Sequence, residues 1–385
     1  MTRPNTPWNR FIAALSSLKF TLFCLALLMA LTVICTLAQV PLGTHVAVDR
    51  TIRTFLIWWQ PEGSSLKIPV FPGGGLVGLM LFSNLALAQF LRLEWSRRKL
   101  GLWIAHLGLA LLFLGEFSTA FFQVESHMPI EIGQTRDYTE DYRQMELAVV
   151  DTTDAQHDRV TAVPERVIKD SSEISHPSLP FKLRIKHYYE NSSLNMRQPS
   201  DPPSEATGGV GAEMIVRPEP LATGEDQQNA VAVLVEAVAE GGRSLGSLWV
   251  SNALGAPQGF IHEGRTFSLS LRPRRYYLPF SLTLKEFHHD KYAGTDIPRN
   301  FSSLVRLNDA GRGESRDALI SMNNPLRYGG KAFYQASFGK NDTLSVFQVI
   351  QNPGWLIPYL SCILVSLGMM IHFGLKLAAA MGGSK

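Results

Sequence analysis

The sequence predicts a membrane protein of α plus β class: four transmembrane helices with a large, mainly β, sandwich-like extracytoplasmic domain inserted between helices three and four. Three observations carry this prediction. Apolar residues gather in three early stretches and one late one, each about the ~20 residues a helix needs to cross a bilayer. The residues between the third and fourth stretches hold most of the charges and prolines and alternate apolar with polar side chains. The connector between the second and third stretches is strongly basic. At 385 residues, 45% hydrophobic and with a mean hydropathy of +0.03, the chain reads as unlike parts joined together.

Residues 1–17 form a basic N-terminal segment with Arg3 and Arg10, ahead of a first helix over 18–40. That apolar run exceeds the ~7–15 residues of a cleavable signal core, so it is read as a retained anchor. Residues 41–72 form an extracytoplasmic loop in which Phe55, Trp58 and Trp59 suit an interfacial segment. Helix two follows the run Phe71-Pro72-Gly73-Gly74-Gly75, spans 73–91 and carries Asn84 and Gln89. The connector 92–100 has Arg92, Arg97, Arg98 and Lys99 against Glu94, which puts it in the cytoplasm by the positive-inside rule. Helix three, 101–123, leaves the membrane on the opposite side, and helix four, 353–375, returns the chain to a cytoplasmic tail over 376–385 with Lys376 and Lys385. Both termini are therefore expected inside.

The insert 124–352 carries segments such as FKLRIKHYY, AVAVLVEAVAE, RTFSLSLRP, FSLTLKEF and KAFYQASF, with β-branched and aromatic enrichment between Gly, Pro, Asn and Asp punctuation. An antiparallel sandwich is expected. Residues 198–228, rich in Pro, Gly, Ser and Glu, read as a long mobile loop.

Cys24, Cys35 and Cys362 all fall in the proposed membrane helices, where a small apolar packing role is expected. The insert has no cysteine, so it has no disulfide framework, and without a CxxCH motif the chain is not itself a c-type cytochrome. A formal charge of +3, dispersed, does not point to nucleic acid. No HExxH, GxSxG or phosphate-binding glycine loop occurs, so no catalytic residue is assigned.

His106 stands out. It lies inside an apolar segment, where an unsatisfied polar side chain costs several kcal/mol in principle. Gly101, Gly108 and Gly115 recur every seven residues and form a ridge open to close helix approach, while His106 shares another side with Trp103, Ala110 and Phe113. His372 is a weaker candidate on the last helix, four residues before Lys376 and at similar expected depth. Two neutral imidazoles across a bundle can ligate haem iron, with Trp103 as a packing residue; a hydrogen bond to a neighbouring helix is the plain alternative for His106. Glu116 reads as a solvated boundary residue, and His288 and His289 as strand neighbours on opposite faces.

Several separated segments resemble the ResB family, also called CcsB, of cytochrome c biogenesis proteins: SLKFTLFCLALLMALTVICTLAQ, WIAHLGLALLFLGE, KEFHHDKYAGTDIPRNFSSLVRLND, SMNNPLRYGGKAFYQASF and QNPGWLIPYLSCILVSLGMM. The middle of the insert, from about 150 to 280, resembles the family poorly, and the 41–72 loop is longer and richer in Pro and Gly than the family pattern. The resemblance implies a subunit of the system II cytochrome c synthase, with haem b transported or transiently bound. It implies as partners a CcsA-type tryptophan-rich membrane protein, an apocytochrome c bearing CxxCH and thiol-reducing proteins. The family's intramembrane histidine falls on His106, as an axial haem ligand; the second ligand is expected from CcsA, so the family pattern does not support His372. Localisation would be the inner (cytoplasmic) membrane, with the large domain periplasmic or otherwise extracytoplasmic. The rival expectation is a membrane-anchored binding, sensor or scaffold module without haem, for which one anchor helix would suffice.

Overall fold

A computed structural model describes residues 6–61, 66–154, 156–222, 228–292, 294 and 298–382. Arg3, Lys385 and the stretch 223–227 of the expected loop lie outside them. The helices are α1 Pro7–Leu15, α2 Leu18–Leu42, α3 Thr44–Thr51, α4 Gly74–Arg92, α5 Leu100–Phe122, α6 Glu165–Asp170 and α7 Ile357–Gly382. The strands are β1 Leu56–Trp59, β2 Ile68–Pro72, β3 Val124–Glu131, β4 Thr135–Asp151, β5 Arg159–Pro164, β6 Glu173–Ile174, β7 Phe181–Tyr189, β8 Ser192–Met196 and β9 Met214–Pro218. They continue with β10 Ala232–Ala239, β11 Ser244–Ser251, β12 Gln258–His262, β13 Arg265–Lys291, β14 Pro298–Asp309, β15 Glu314–Ser321, β16 Leu326–Tyr328, β17 Lys331–Gly339 and β18 Leu344–Gln351. Residues before Val124 and after Gln351 make a helical unit, and the strands from β3 to β18 a β unit.

In the helical unit α2, α4, α5 and α7 are each long and apolar enough to cross a membrane. Cys24 and Leu31 of α2 meet Val77 and Leu81 of α4 in a small core that also takes Ile57, Phe71 and Phe113. Two features depart from the expected loops. The N-terminal segment holds α1, started by Thr6, whose hydroxyl accepts from the Asn9 amide at 3.3 Å, and by Pro7 in the first turn. The 41–72 stretch holds α3 and the β1–β2 hairpin, with Trp58 and Trp59 exposed. The glycine run after it has a steric cause, since a Cβ on Gly73 would sit 2.2 Å from the Thr54 carbonyl oxygen and one on Gly74 2.5 Å from that of Ile52. Helix four begins four residues later than expected. Asn352 bends the chain first: its amide donates to Thr119 Oγ1 at 3.0 Å while its Oδ1 accepts from the Gly354 N–H at 2.8 Å.

In the β unit all paired strands are antiparallel. A four-stranded sheet, β11-β10-β7-β6, covers one end of a larger sheet whose path is β15-β14-β13-β4-β3-β18-β17-β16, with β12 beside β13 and β5 beside β4. The sandwich expected from sequence describes one core, in which Val233, Val235 and Leu183 face Leu147, Val149, Phe267, Leu269 and Leu271. The second core is different. Here the larger sheet curls so that its end strands β15 and β16 are joined by a short turn closed by the Ser321–Asn324 bridge, and Met128, Leu282, Leu284, Val305, Phe333 and Phe347 fill the inside.

β13 serves both cores. RTFSLSLRP and FSLTLKEF, read as two strands because of Pro273 and Pro279, are one strand of 27 residues. Its ladder with β4 shifts register between Pro273 and Arg274 and again between Tyr277 and Leu282, so both prolines fall where the ladder is interrupted. Along β13 the buried positions change from the odd residues 267, 269 and 271 in the first core to the even residues 278, 280, 282 and 284 in the second. The expected mobile loop is likewise structured up to Ala222. β9 pairs with β8, and Ala206 and Val216 pack with Trp249 and Leu234, because the apolar outer face of the four-stranded sheet needs a cover.

Candidate functional site

α5 and α7 lie antiparallel in close contact. A Cβ on Gly101 would come within 2.5 Å of the Gly368 carbonyl oxygen and the His372 amide nitrogen, one on Gly108 within 2.9 Å of Ser361 and Val365, and one on Gly115 within 2.7 Å of Ile357. The ridge expected from the seven-residue glycine spacing is where α7 docks. Gly368 answers it from the other helix, its Cβ position 2.5 Å from the Ala105 nitrogen. Small residues let two backbones meet in this way, gaining dispersion contacts along the seam.

That seam leaves His106 to one side. Trp103, His106, Ala110, Phe113 and Phe117 share a face at helical spacing, and Phe113 and Phe117 pack on Phe82 of α4 with ring centroids 6.3 and 6.4 Å away. Gln89 of α4 donates its amide to the Trp103 carbonyl at 3.4 Å on the same side. His106 is half-buried, and its Nδ1 lies 2.8 Å from the Leu102 carbonyl oxygen. A carbonyl only accepts, so Nδ1 carries a proton, and Nε2 is the ring nitrogen left for another partner. The expected need for a partner is met within the helix, by the residue one turn back. A ring held at Nδ1–H by a carbonyl is oriented and has the basic nitrogen that a metal ligand requires.

The structure does not put His372 at the depth of His106. The α5–α7 register sets the His372 backbone against Gly101, five residues from His106 or ~7.5 Å along the helix. Counting from the flanking lysines misses this because it ignores how far each helix runs beyond its apolar core, and α7 continues to Gly382. The His372 Nδ1 is buried without a hydrogen-bond partner among the described residues. Trp103 packs in an aromatic cluster, 5.1 Å from Trp95 and 6.0 Å from Phe90, with Nε1 3.5 Å from the Glu94 carbonyl.

Asn84 holds the break between α1 and α2. Its amide donates to the carbonyls of Leu15 and Ser17 at 2.6 and 3.2 Å, and its Oδ1 accepts from Thr21 at 2.7 Å. Arg92, read from sequence as a topogenic charge, donates to Ala13 O at 2.7 Å and Ser16 Oγ at 3.0 Å. Cys24 and Cys35 are buried as expected, whereas Cys362 is exposed, and Glu116 is exposed on α5. In the β unit His288 meets Glu286 at 3.1 Å and His289 meets Asp342 at 3.1 Å, on opposite faces of β13. No group of three or more His, Cys, Asp or Glu suited to a metal occurs among the described residues.

The class these features define is a β unit joined in one chain to apolar helices, one of which holds an oriented imidazole. Residues 242–346 match the ResB-like family. It is also similar to Protein NrfI of Wolinella succinogenes, 35% identical over 102 residues, which is 26% of this chain and 11% of that protein's length. The chain thus spans only a small part of this relative. The family match runs from the turn before β11 into β18, entirely within the β unit and outside the apolar helices.

The match gives structural meaning to one motif. In Phe333-Tyr334-Gln335, Phe333 fills the second core and Gln335 closes a buried ring: Ser303 Oγ donates to Gln335 Oε1 at 2.7 Å, Gln335 Nε2 to Ser345 Oγ at 2.8 Å, and the two hydroxyls lie 2.9 Å apart. Sequence alone offers no signal for this ring. Its three members come from three strands.

Proposed function

We propose that this chain is a ResB-like subunit of a membrane cytochrome c synthase complex, helping haem cross the inner membrane and become attached to CxxCH apocytochromes c outside the cytoplasm. The ResB-like segment supports the cytochrome c biogenesis role. The observation that carries the haem reading is His106, whose Nδ1–H is engaged by the Leu102 carbonyl, which leaves Nε2 as the nitrogen that would meet the iron.

In this reading α2, α4, α5 and α7 cross the bilayer, the basic connector and both termini face the cytoplasm, and the β unit faces the periplasm. Haem is cargo. His106 would hold its iron from one side within the membrane, Trp103 would contribute to the apolar wall one turn away, and a CcsA-type partner would supply the opposing ligand and the external attachment platform. The reacting thiols belong to the apocytochrome, kept reduced by thiol-reducing proteins. This chain's own contribution is to bind, orient and exclude water, which is positioning rather than bond-making. His372 remains a secondary candidate ligand at a different level of the bundle.

The test is the absorption spectrum of the detergent-purified full chain, with and without a coexpressed CcsA-type partner, for wild type and His106→Ala. Soret and α bands that appear with the partner and vanish in the variant are expected. Full haem content and full cytochrome c maturation in His106→Ala would refute the ligand assignment. Bands without any partner would promote His372.

A further inference from the structure

β13 is paired unequally along its two edges. One edge follows β4 from Phe267 to Tyr277. The other is covered by β12 only as far as Leu269 and by β14 only from Ser281. Between these two neighbours, residues 270–280 have no strand partner on that edge among the described residues. In an extended strand alternate residues present N–H and C=O groups outward, so this is an open ladder. Pro273 and Pro279 interrupt it, leaving Ser270, Leu271 and Arg272 as a run with every backbone donor intact.

A groove of about 520 Å³ lies along this run. Its lining takes in the consecutive residues Ser268–Pro273, residues between Val250 and Gln258 from the end of β11 to the start of β12, and Val150, Thr152, Asp158 and Arg275. Successive residues of a strand point to opposite faces, so a cavity touched by every one of Ser268–Pro273 reaches the backbone edge of β13 as well as the outer face it shares with Val150 and Thr152.

Two residues of the lining each carry a buried polar atom without a hydrogen-bond partner among the described residues, Asn252 Oδ1 and Arg272 Nη2. Neither side chain is loose. Asn252 donates its Nδ2 to the Asn229 carbonyl at 3.1 Å, and Arg272 is held through Nε to Glu146 at 2.9 Å. Gln258, also in the lining, is satisfied at both ends, by Val210 N–H at 2.7 Å and Ala256 O at 2.9 Å. The groove thus offers one fixed acceptor, one fixed donor and an unpaired strand edge. Buried polar groups are seldom left unmatched without a reason.

We infer that this groove takes an extended polypeptide segment, added as a strand to Ser270–Arg272, with Asn252 accepting an N–H and Arg272 Nη2 donating to a carbonyl or carboxylate oxygen. A backbone is the ligand that supplies alternating donors and acceptors at strand spacing, and main-chain bonds give such a site affinity for unfolded chain of varied sequence. Resting on the function proposed above, the occupant is the unfolded CxxCH-bearing stretch of an apocytochrome c.

The experiment uses the full chain in detergent or nanodiscs and three fluorescent probes: a short reduced CxxCH peptide, a scrambled peptide of the same composition, and the CxxCH peptide N-methylated at alternate backbone nitrogens. Binding of the first, loss with the third, and slowed hydrogen exchange over residues 268–275 on peptide addition are expected. Asn252→Ala and the charge-conserving Arg272→Lys should each weaken binding by about tenfold. Equal binding of the N-methylated peptide, or protection confined to other strands, would overturn strand addition. Protection that rises with protein concentration without peptide would make a second copy of the chain the occupant and overturn the inference. Binding of the scrambled peptide as tightly as the CxxCH peptide supports the groove and removes sequence choice from it. The His106→Ala spectrum decides the haem reading separately, so either proposal can fail alone.

Discussion

Replacing Gly368 by alanine puts a methyl group where the structure has no room for one. The new Cβ would lie 2.5 Å from the Ala105 nitrogen, 2.6 Å from the Gly101 carbonyl oxygen and 2.9 Å from the Ala105 Cα, all backbone atoms of α5. Ordinary contact needs ~3.5 Å, so the two helices must part by about 1 Å locally. A gap of that size forfeits roughly a quarter to a half of each contact it opens, and overpacking of this kind costs ~1–3 kcal/mol. The loss is not confined to one position, since Gly101, Gly108 and Gly115 lie on the same seam. Gly374→Ala is the matched control, because nothing lies within 4 Å of its Cβ position. The assay is SDS-induced unfolding of the full chain in micelles. Gly368→Ala should unfold at clearly lower denaturant, and Gly374→Ala should match wild type. If the two variants behave alike, α5 and α7 do not pack through these glycines and the register used to level His106 and His372 is wrong.

Two further predictions concern the β unit. Gln335→Ala removes the bonds to Ser303 and Ser345 in a fully enclosed site and should destabilise the unit by about 2 kcal/mol in thermal denaturation, whereas Tyr334→Phe beside it should stay within ~0.5 kcal/mol. Asp151 is held down to a pKa of about 2 by hydrogen bonds from Thr153 and by Arg265, below the ~3.9 of a free aspartate. A depressed carboxylate contributes stability above its unfolded pKa and loses it as pH falls, so wild type should lose more stability than Asp151→Asn between about pH 4 and pH 2. Parallel pH curves for the two proteins would contradict that linkage.

Much of the helical unit is legible in the chain because its cause is local. Membrane-length apolar runs, the basic connector and the seven-residue glycine spacing each follow from one segment, and the ridge they describe is where α7 docks. His106 is legible for the same reason: an imidazole within an apolar helix is conspicuous wherever that helix goes. Its hydrogen-bond partner is Leu102, four residues away on the same helix, and not a group on a neighbouring helix.

The rest depends on which residues meet across long separations. Pro273 and Pro279 break a strand by local rules, yet β13 runs through both because neighbouring strands interrupt their pairing there. Pro, Gly and Ser between residues 198 and 222 read as mobile until the sheet they cover is known. The levels of His106 and His372 follow from an interhelical register that no count along one helix contains. The sequence by itself determined the apolar helices, the strand-rich insert and the one histidine worth testing, since periodicity and hydropathy are properties of a segment. The curled second core, the Ser303–Gln335–Ser345 ring and the open edge of β13 were decided only by tertiary structure, because each is made by strands far apart in the chain whose pairing is chosen by the burial of all of them together.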